Sequence, residues 1–133
     1  YVVRGPITGT ASLAGEITLL GEAANDSAGT ALALGDLDDD GFADVVVTGR
    51  GAAHGSVGAI WTAYGPLSGV LSLADAESVA LGEDTTDNAG NAVTVLADTD
   101  GDGYPDLLAA AANEDSAASD AGAVYLLGGG PGL

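Results

Sequence analysis

The sequence predicts an all-β fold, on the evidence of its composition and of an internal repeat. Its 133 residues include 22 Gly but only one Phe and one Trp, which favours many turns between short strands. Gly21–Gly29 matches Gly82–Gly90, and the segment that begins at Tyr1 matches the one that begins at Trp61. Both matches give a period of about 60 residues, which is typical of arrays of small β units such as propeller blades.

The predicted strands are short apolar runs bounded by Gly and Asp. One complete unit has four of them, near Thr30–Leu34, Ala43–Thr48, Val57–Tyr64 and Glu77–Leu81. The next unit repeats the first three, near Asn91–Leu96, Asp106–Ala111 and Ala121–Leu127. The start of the chain supplies the tail of a third strand and a fourth strand near Glu16–Leu20. Residues 1–133 are thus predicted to hold the end of one blade (1–20), a complete blade (28–81) and the first three strands of the next (89–127).

Two nine-residue segments share the pattern Asp-x-Asp-x-Asp-Gly-x-x-Asp, each between the first and second predicted strands of a unit. They are Asp36–Asp44, the first Asp loop, and Asp98–Asp106, the second Asp loop. Carboxylates at positions one, three, five and nine repel one another in a compact loop, so we expect a hard cation to gather their oxygens. Gly at position six permits the sharp turn, and a backbone carbonyl at position seven can add an oxygen.

These loops predict two Ca²⁺ ions per chain. The expected ligands of the first are Asp36, Asp38, Asp40, Asp44 and the backbone of Phe42; those of the second are Asp98, Asp100, Asp102, Asp106 and the backbone of Tyr104. An EF-hand is excluded, because position twelve holds Val47 or Ala109 instead of a bidentate Glu. The apolar run after position nine indicates a strand.

The charge balance restricts the partners of the chain. Two Lys/Arg against 20 Asp/Glu give a formal charge of -18, which argues against nucleic acid and anionic membrane surfaces. No apolar run approaches the roughly 18 residues of a membrane span, and there is no Cys for disulfides. Exposed Asp loops of this type bind usefully at about millimolar calcium, so we expect an extracellular or cell-surface location.

The residue types that act as catalytic groups in enzymes do not form a recognisable site in this sequence. The single histidine, His54, has no nucleophile elbow beside it, so we predict a loop residue and no enzyme. Trp61 and Tyr125 occupy equivalent strand positions, where packing between blades explains them better than ligand stacking. Six acids fall in the other loops and are predicted to be solvated turn residues in preference to a surface for a cationic or sugar partner: Asp26, Asp84, Asp87, Glu114, Asp115 and Asp120.

The order of these motifs closely resembles the FG-GAP repeats of integrin α-subunit β-propellers and their bacterial relatives. Each unit runs from Ala-Gly through a strand, an Asp loop and an apolar strand to Gly58-Ala59-Ile60-Trp61 or Gly122-Ala123-Val124-Tyr125. The Phe-Gly of the family is Ala-Gly here, at residues 28–29 and 89–90. The resemblance implies calcium in the Asp loops, on the face opposite the usual ligand-binding surface.

Three functions fit this resemblance. The first is a non-catalytic adhesion or protein-interaction module, the second a calcium-dependent sugar-binding propeller, and the third an assembly unit without independent activity. Because the chain starts at Tyr1 and holds about two blades, we expect an excised segment. Propellers need roughly four to eight blades, so we expect a closed homo-oligomer, a trimer or a tetramer. The segments Tyr1–Gly9 and Tyr125–Leu133 are equivalent and would compete for one place in it.

Overall fold

The computed structural model describes residues 1–131, in which the regular secondary structure is almost entirely β-strand. The strands are β1 (Thr18–Leu20), β2 (Leu32–Gly35), β3 (Asp44–Gly49), β4 (Ala59–Ala63), β5 (Val70–Ser72), β6 (Ser78–Leu81), β7 (Ala89–Val95), β8 (Leu107–Ala111) and β9 (Ala123–Leu127). Two short 3-10 helices, Ala52–His54 and Leu73–Asp75, lie in the connections. The predicted all-β fold is confirmed. In this part of the chain no helix is long and apolar enough to span a membrane.

The two larger sheets are copies of one unit. The first blade is a four-stranded antiparallel sheet in the order β2-β3-β4-β6, and the second blade is a three-stranded sheet in the order β7-β8-β9. Val46 pairs with Thr62 in the first blade, and Leu108 pairs with Leu126 at the equivalent point of the second. This register makes Trp61 the equivalent of Tyr125.

The central strand of the first blade shows why a continuous apolar run forms here. All six residues of β3 are buried, because both faces of the sheet are covered. Val45 and Val47 point to one face and Val46 to the other, as the two-residue period of a strand requires. Three consecutive β-branched residues suit such a strand, since their stiff side chains pack well on a pleated surface.

Each face of the first blade has its own core. The downstream face, which includes Val46 and Ile60, packs against Leu107 and Ala109 of the second blade. The upstream face, which includes Val45, Val47 and Trp61, packs against Val2 and Leu19 from the start of the chain. Trp61 is only 1% exposed, so the packing role predicted for it is confirmed.

One sheet was not predicted from the sequence. β5 lies in the connection between β4 and β6 and pairs in parallel with β1, with Leu19 opposite Leu71. The other edge of β1 makes a single antiparallel bridge, between Ile17 and Val2. A parallel pair of three-residue strands leaves almost no periodic signal, which is why the sequence did not reveal it.

The two-faced packing of β3 generates a prediction about stability. Val46→Ala removes about two methylene equivalents from a fully buried site, so it should lower the free energy of unfolding by about 2 kcal/mol. Val79→Ala is the matched control, because Val79 lies in the same sheet but is 42% exposed, and should cost clearly less, about 0.5 kcal/mol. Urea denaturation of both variants measures the difference. Equal losses would contradict the assignment of Val46 to the core between the blades.

Candidate metal centre

The first Asp loop joins β2 to β3 and is folded around its own carboxylates. Asp36 accepts hydrogen bonds from the Asp40 N–H at 3.0 Å and from the Gly41 N–H at 2.9 Å. Asp40 in turn accepts one from the Phe42 N–H at 2.8 Å. Asp36, Asp38 and Asp40 each place one oxygen within 4.8 Å of the others. The loop therefore presents three convergent carboxylates, all hard oxygen donors.

The second Asp loop joins β7 to β8 and repeats this network. Asp98 accepts from the Gly101 N–H at 2.6 Å and from the Gly103 N–H at 3.0 Å, and Asp102 accepts from the Tyr104 N–H at 2.9 Å. The convergent group here consists of Asp98, Asp100 and Asp106. Positions one and three thus belong to both groups, whereas the third member is position five in the first loop and position nine in the second.

The aspartate at position nine is buried in both loops and ties each loop to another part of its blade. Asp44 accepts from the Leu37 N–H at 2.6 Å and from the Gly65 N–H at 2.8 Å. Asp106 accepts from the Thr99 N–H at 2.7 Å and from the Gly129 N–H at 3.1 Å. A carboxylate offers about four lone-pair positions, so these bonds leave each group able to contribute to a metal site.

The two buried aspartates differ in their electrostatics. Burial raises the pKa of Asp44 above its ordinary value, against the N–H bonds from Gly65 and Leu37 that lower it. The pKa of Asp106 is lowered instead, first by the hydroxyl of Thr99 and then by its N–H. The largest effect on the pKa is thus burial for Asp44 and, for Asp106, the hydroxyl of Thr99, which has no counterpart in Leu37.

The predicted ligands fall into two groups. Three in each loop converge as described, while Asp44 and Asp102 lie outside the convergent groups. The N–H groups of Phe42 and Tyr104 bond to the carboxylates at position five; ligation by the carbonyls at position seven stays a prediction. The chemistry of the donors fits Ca²⁺, which takes oxygen ligands from carboxylates and backbone.

Among the described residues, no basic side chain forms an ion pair with the aspartates of these loops. The chain has two Lys/Arg residues, Arg4 and Arg50, and across residues 1–131 the one ion pair joins His54 to Glu22 at 2.9 Å. Carboxylates held this close repel one another unless a positive charge intervenes. The charge of the convergent carboxylates is therefore not compensated by an ion pair within the described residues.

Sequence reasoning missed two glycines that complete the loops. Gly65 and Gly129 follow the third strand of each blade and donate their N–H groups to Asp44 and Asp106. A Cβ on Gly65 would lie 2.7 Å from Cβ of Phe42, and one on Gly129 would overlap the carbonyl oxygen of Pro105. The repeated Gly at these two positions was the available signal.

The structure corrects the prediction that all six acids of the other loops are solvated. Asp26, Asp87 and Glu114 are buried, whereas Asp84, Asp115 and Asp120 are exposed. Asp26 accepts hydrogen bonds from the N–H groups of Ala23 and Ala52, the latter at 2.7 Å. A buried carboxylate is stable only with such partners. Asp26 therefore braces the connection from β1 to the first blade.

His54 also has a structural contact. Its Nε2 lies 2.9 Å from Oε2 of Glu22, which accepts a further hydrogen bond from the indole N–H of Trp61 at 3.2 Å. Glu83 is the equivalent acid in the second blade and contacts the hydroxyl of Tyr125 at 3.4 Å. Burial, and then the charge of Glu83, raise the pKa of that hydroxyl. These contacts join the loops between blades to the third strands.

Two repeated β-sheet units, each with an Asp loop after its first strand, define a propeller-type module. The family model of the FG-GAP repeat matches residues 28–62 and 89–127, more than half of the chain. The chain belongs to the FG-GAP repeat family, as the motif order indicated, and is an integrin-like propeller module.

The close approach at Gly129 generates a second prediction. Gly129→Ala should lower the free energy of unfolding by about 1–3 kcal/mol, because the added Cβ must displace Pro105 and with it the N–H bond to Asp106. Gly128→Ala is the neighbouring control, since its Cβ would lie 3.9 Å from the nearest atom, and should stay within about 0.5 kcal/mol of the parent. Denaturant titration in calcium compares them; a larger loss for Gly128→Ala would contradict the role of Gly129.

Proposed function

We propose that the chain is a calcium-binding, non-catalytic propeller module that serves adhesion or protein interaction outside the cell and associates with copies of itself. The observation that carries the calcium proposal is the convergence of three carboxylate oxygens within 4.8 Å in each Asp loop, with no basic side chain paired to them in the described structure. Each loop is proposed to hold one ion.

The proposed role of the ions is structural. Each Asp loop connects the first two strands of its blade, and its last aspartate is bonded to the turn after the third strand. A cation in the loop would remove the repulsion that opposes this arrangement. Its binding free energy would then add to the stability of the fold, as for any ligand that binds only the folded state.

Location and partners follow from the same chemistry. Most of the loop carboxylates are exposed or only partly buried, and open sites of this kind are suited to the millimolar calcium outside cells. The net charge of -18 opposes association with nucleic acid or anionic membranes. Membership of the FG-GAP repeat family supports the adhesion or interaction role, and the aspartates of the loops act as braces and metal ligands in preference to catalytic groups.

Calcium removal is expected to lower the melting temperature, and calorimetric titration is expected to give two ions per chain. Asp100→Asn keeps the size of the side chain but removes one charge from the second Asp loop, so the high-affinity stoichiometry should fall from two to one. Asp120→Asn, in an exposed loop outside both sites, should leave it at two. Coincident melts with EDTA and with excess calcium would overturn the proposal.

Self-association is supported by a comparison of the two blades. Ile60 and Thr62 on the downstream face of the first blade are 6% and 2% exposed, because the second blade covers them. Their equivalents in the second blade, Val124 and Leu126, are 64% and 53% exposed. Apolar side chains exposed at positions that are buried in the first blade support the proposal that a blade of another copy covers this face.

The upstream face of the first blade supplies the complementary surface. Leu32 and Leu34 are 61% and 65% exposed and line a groove of ≈ 420 Å³ with Tyr1, Val2 and Leu19. In the second blade the equivalents of the two leucines, Val93 and Val95, pack against the first blade. The downstream face of one copy therefore matches the upstream face of the next. Such a head-to-tail contact closes into a ring when the rotation permits, here a trimer or tetramer of about six or eight blades.

Light scattering in calcium at micromolar concentration should give three or four times the chain mass of 12.7 kDa. Leu34→Gln places a polar group in the proposed contact and should yield folded monomers, because an unpaired amide would be buried there. Leu13→Gln is the control, at an exposed leucine outside both faces, and should preserve the oligomer. A monodisperse folded monomer of the parent chain would contradict self-association.

A further inference from the structure

The outer edge of β9 is open in the described part of the chain. In the first blade, the equivalent strand β4 pairs with β3 on one edge and with β6 on the other. Among residues 1–131, β9 pairs with β8 alone. An unpaired edge is a template for another strand.

The strand that matches the missing position is present at the start of the chain. The segment Glu16–Glu22 is the sequence equivalent of Glu77–Glu83, which contains β6; both begin with Glu and end with Leu-Gly-Glu. The bridge between Val2 and Ile17 repeats the pairing of Thr62 with Ser78. β1 is therefore a fourth strand, and Val2 stands where the third strand of its blade would lie.

From this equivalence we infer that β1 of a second copy pairs antiparallel with β9 and completes the second blade. The inference rests on the self-association proposed above and specifies the contact that produces it. Transferring the register of β4 and β6 places Leu126 opposite Ile17, Tyr125 opposite Thr18, Val124 opposite Leu19, and Ala123 opposite Leu20.

The same placement satisfies the packing of side chains. Leu19 already contacts the upstream core around Trp61, as Ala80 contacts the core on the downstream side. Val124, opposite Leu19, and Leu126, in the place of Val2, would then lie over the groove that Leu32 and Leu34 line. Pairing of the strand edges and burial of the free faces are thus achieved by one arrangement.

Neither charge repulsion nor the displaced N-terminal segment strongly opposes the pairing of β1 with β9 of another copy. None of the residues 17–20 and 123–127 is charged, so the two strands escape the repulsion expected of a chain with a net charge of -18. The displaced residues, Tyr1–Gly9, are mostly exposed. Their hydrogen bonds to the rest of the chain include the one from the Val2 N–H to the Ile17 carbonyl and a long bond of 3.4 Å from Arg4 to the Leu67 carbonyl. The predicted competitor Tyr125–Leu133 includes residues 132–133, which lie outside the described residues.

Disulfide trapping tests the pairing, because the parent chain has no Cys. Ile17→Cys and Leu126→Cys are prepared as separate single variants, mixed in calcium under mild oxidation and separated on a non-reducing gel. Directly opposed residues have Cβ atoms about 4.5–5.5 Å apart, within the range from which small movements allow a disulfide. We expect a linked dimer that contains one chain of each variant, and its loss on reduction.

A mixture of Ile17→Cys with Ala123→Cys is the off-register control and should give little of this dimer, because three residues of strand separate the two positions by about 10 Å. An oligomer that links both mixtures equally, or neither, would overturn the strand exchange but leave self-association standing. A parent chain that remains monomeric would overturn both. If a cysteine variant fails to fold, mixing Leu19→Cys with Val124→Cys tests the same register at the next pair.

Discussion

The buried aspartate at the end of each Asp loop is the constraint on which the rest of the structure depends. Asp44 fixes the start of its loop through the Leu37 N–H and the turn after β4 through the Gly65 N–H. Leu37 is itself fully buried between the blades, and its carbonyl accepts the Gly130 N–H at 2.9 Å. Adjacent Gly129 bonds to Asp106. The two loops are thus connected through backbone bonds and a core leucine.

This connection explains how a chain so rich in acids can form a small, well-packed core. Fixing the carboxylates with N–H donors stabilises their charged form locally, but it does not remove the repulsion among them. The cation proposed for each loop would supply the opposite charge, while Val46, Ile60 and Leu107 join the blades on the apolar side. Leu37 takes part in both effects: its N–H donates to Asp44 of the first Asp loop, and its side chain is buried between the blades.

Much of this arrangement could be predicted because the repeat carries it. The runs of Val or Leu after position nine identified β3 and β8, and the matched Asp-Gly patterns located both loops. β5 escaped prediction because three residues, Val70–Ser72, give no periodic pattern and form a strand only where β1 lies beside them. Asp26 was misjudged because its partner is the N–H of Ala52, 26 residues away. From sequence alone, a polar loop residue is predicted to be solvated, because a hydrogen-bond donor that is distant in the sequence cannot be identified without the tertiary structure.

The two blades differ in how well their buried polar groups and apolar faces are satisfied within the described residues. Asp26 has backbone donors for both oxygens, whereas Oδ1 of its equivalent, Asp87, is buried without a hydrogen-bond partner in the described structure. The turn after β8 differs from the turn after β3: the Asn113 N–H bonds to the Asp87 carbonyl, as the Arg50 N–H does to the Asp26 carbonyl, and the Glu114 N–H bonds to the Ala111 carbonyl. The second blade also carries the open edge of β9 and the exposed side chains of Val124 and Leu126. Since an unpaired buried oxygen and an uncovered apolar face both disfavour the folded state, the second blade is less well stabilised than the first within the described residues.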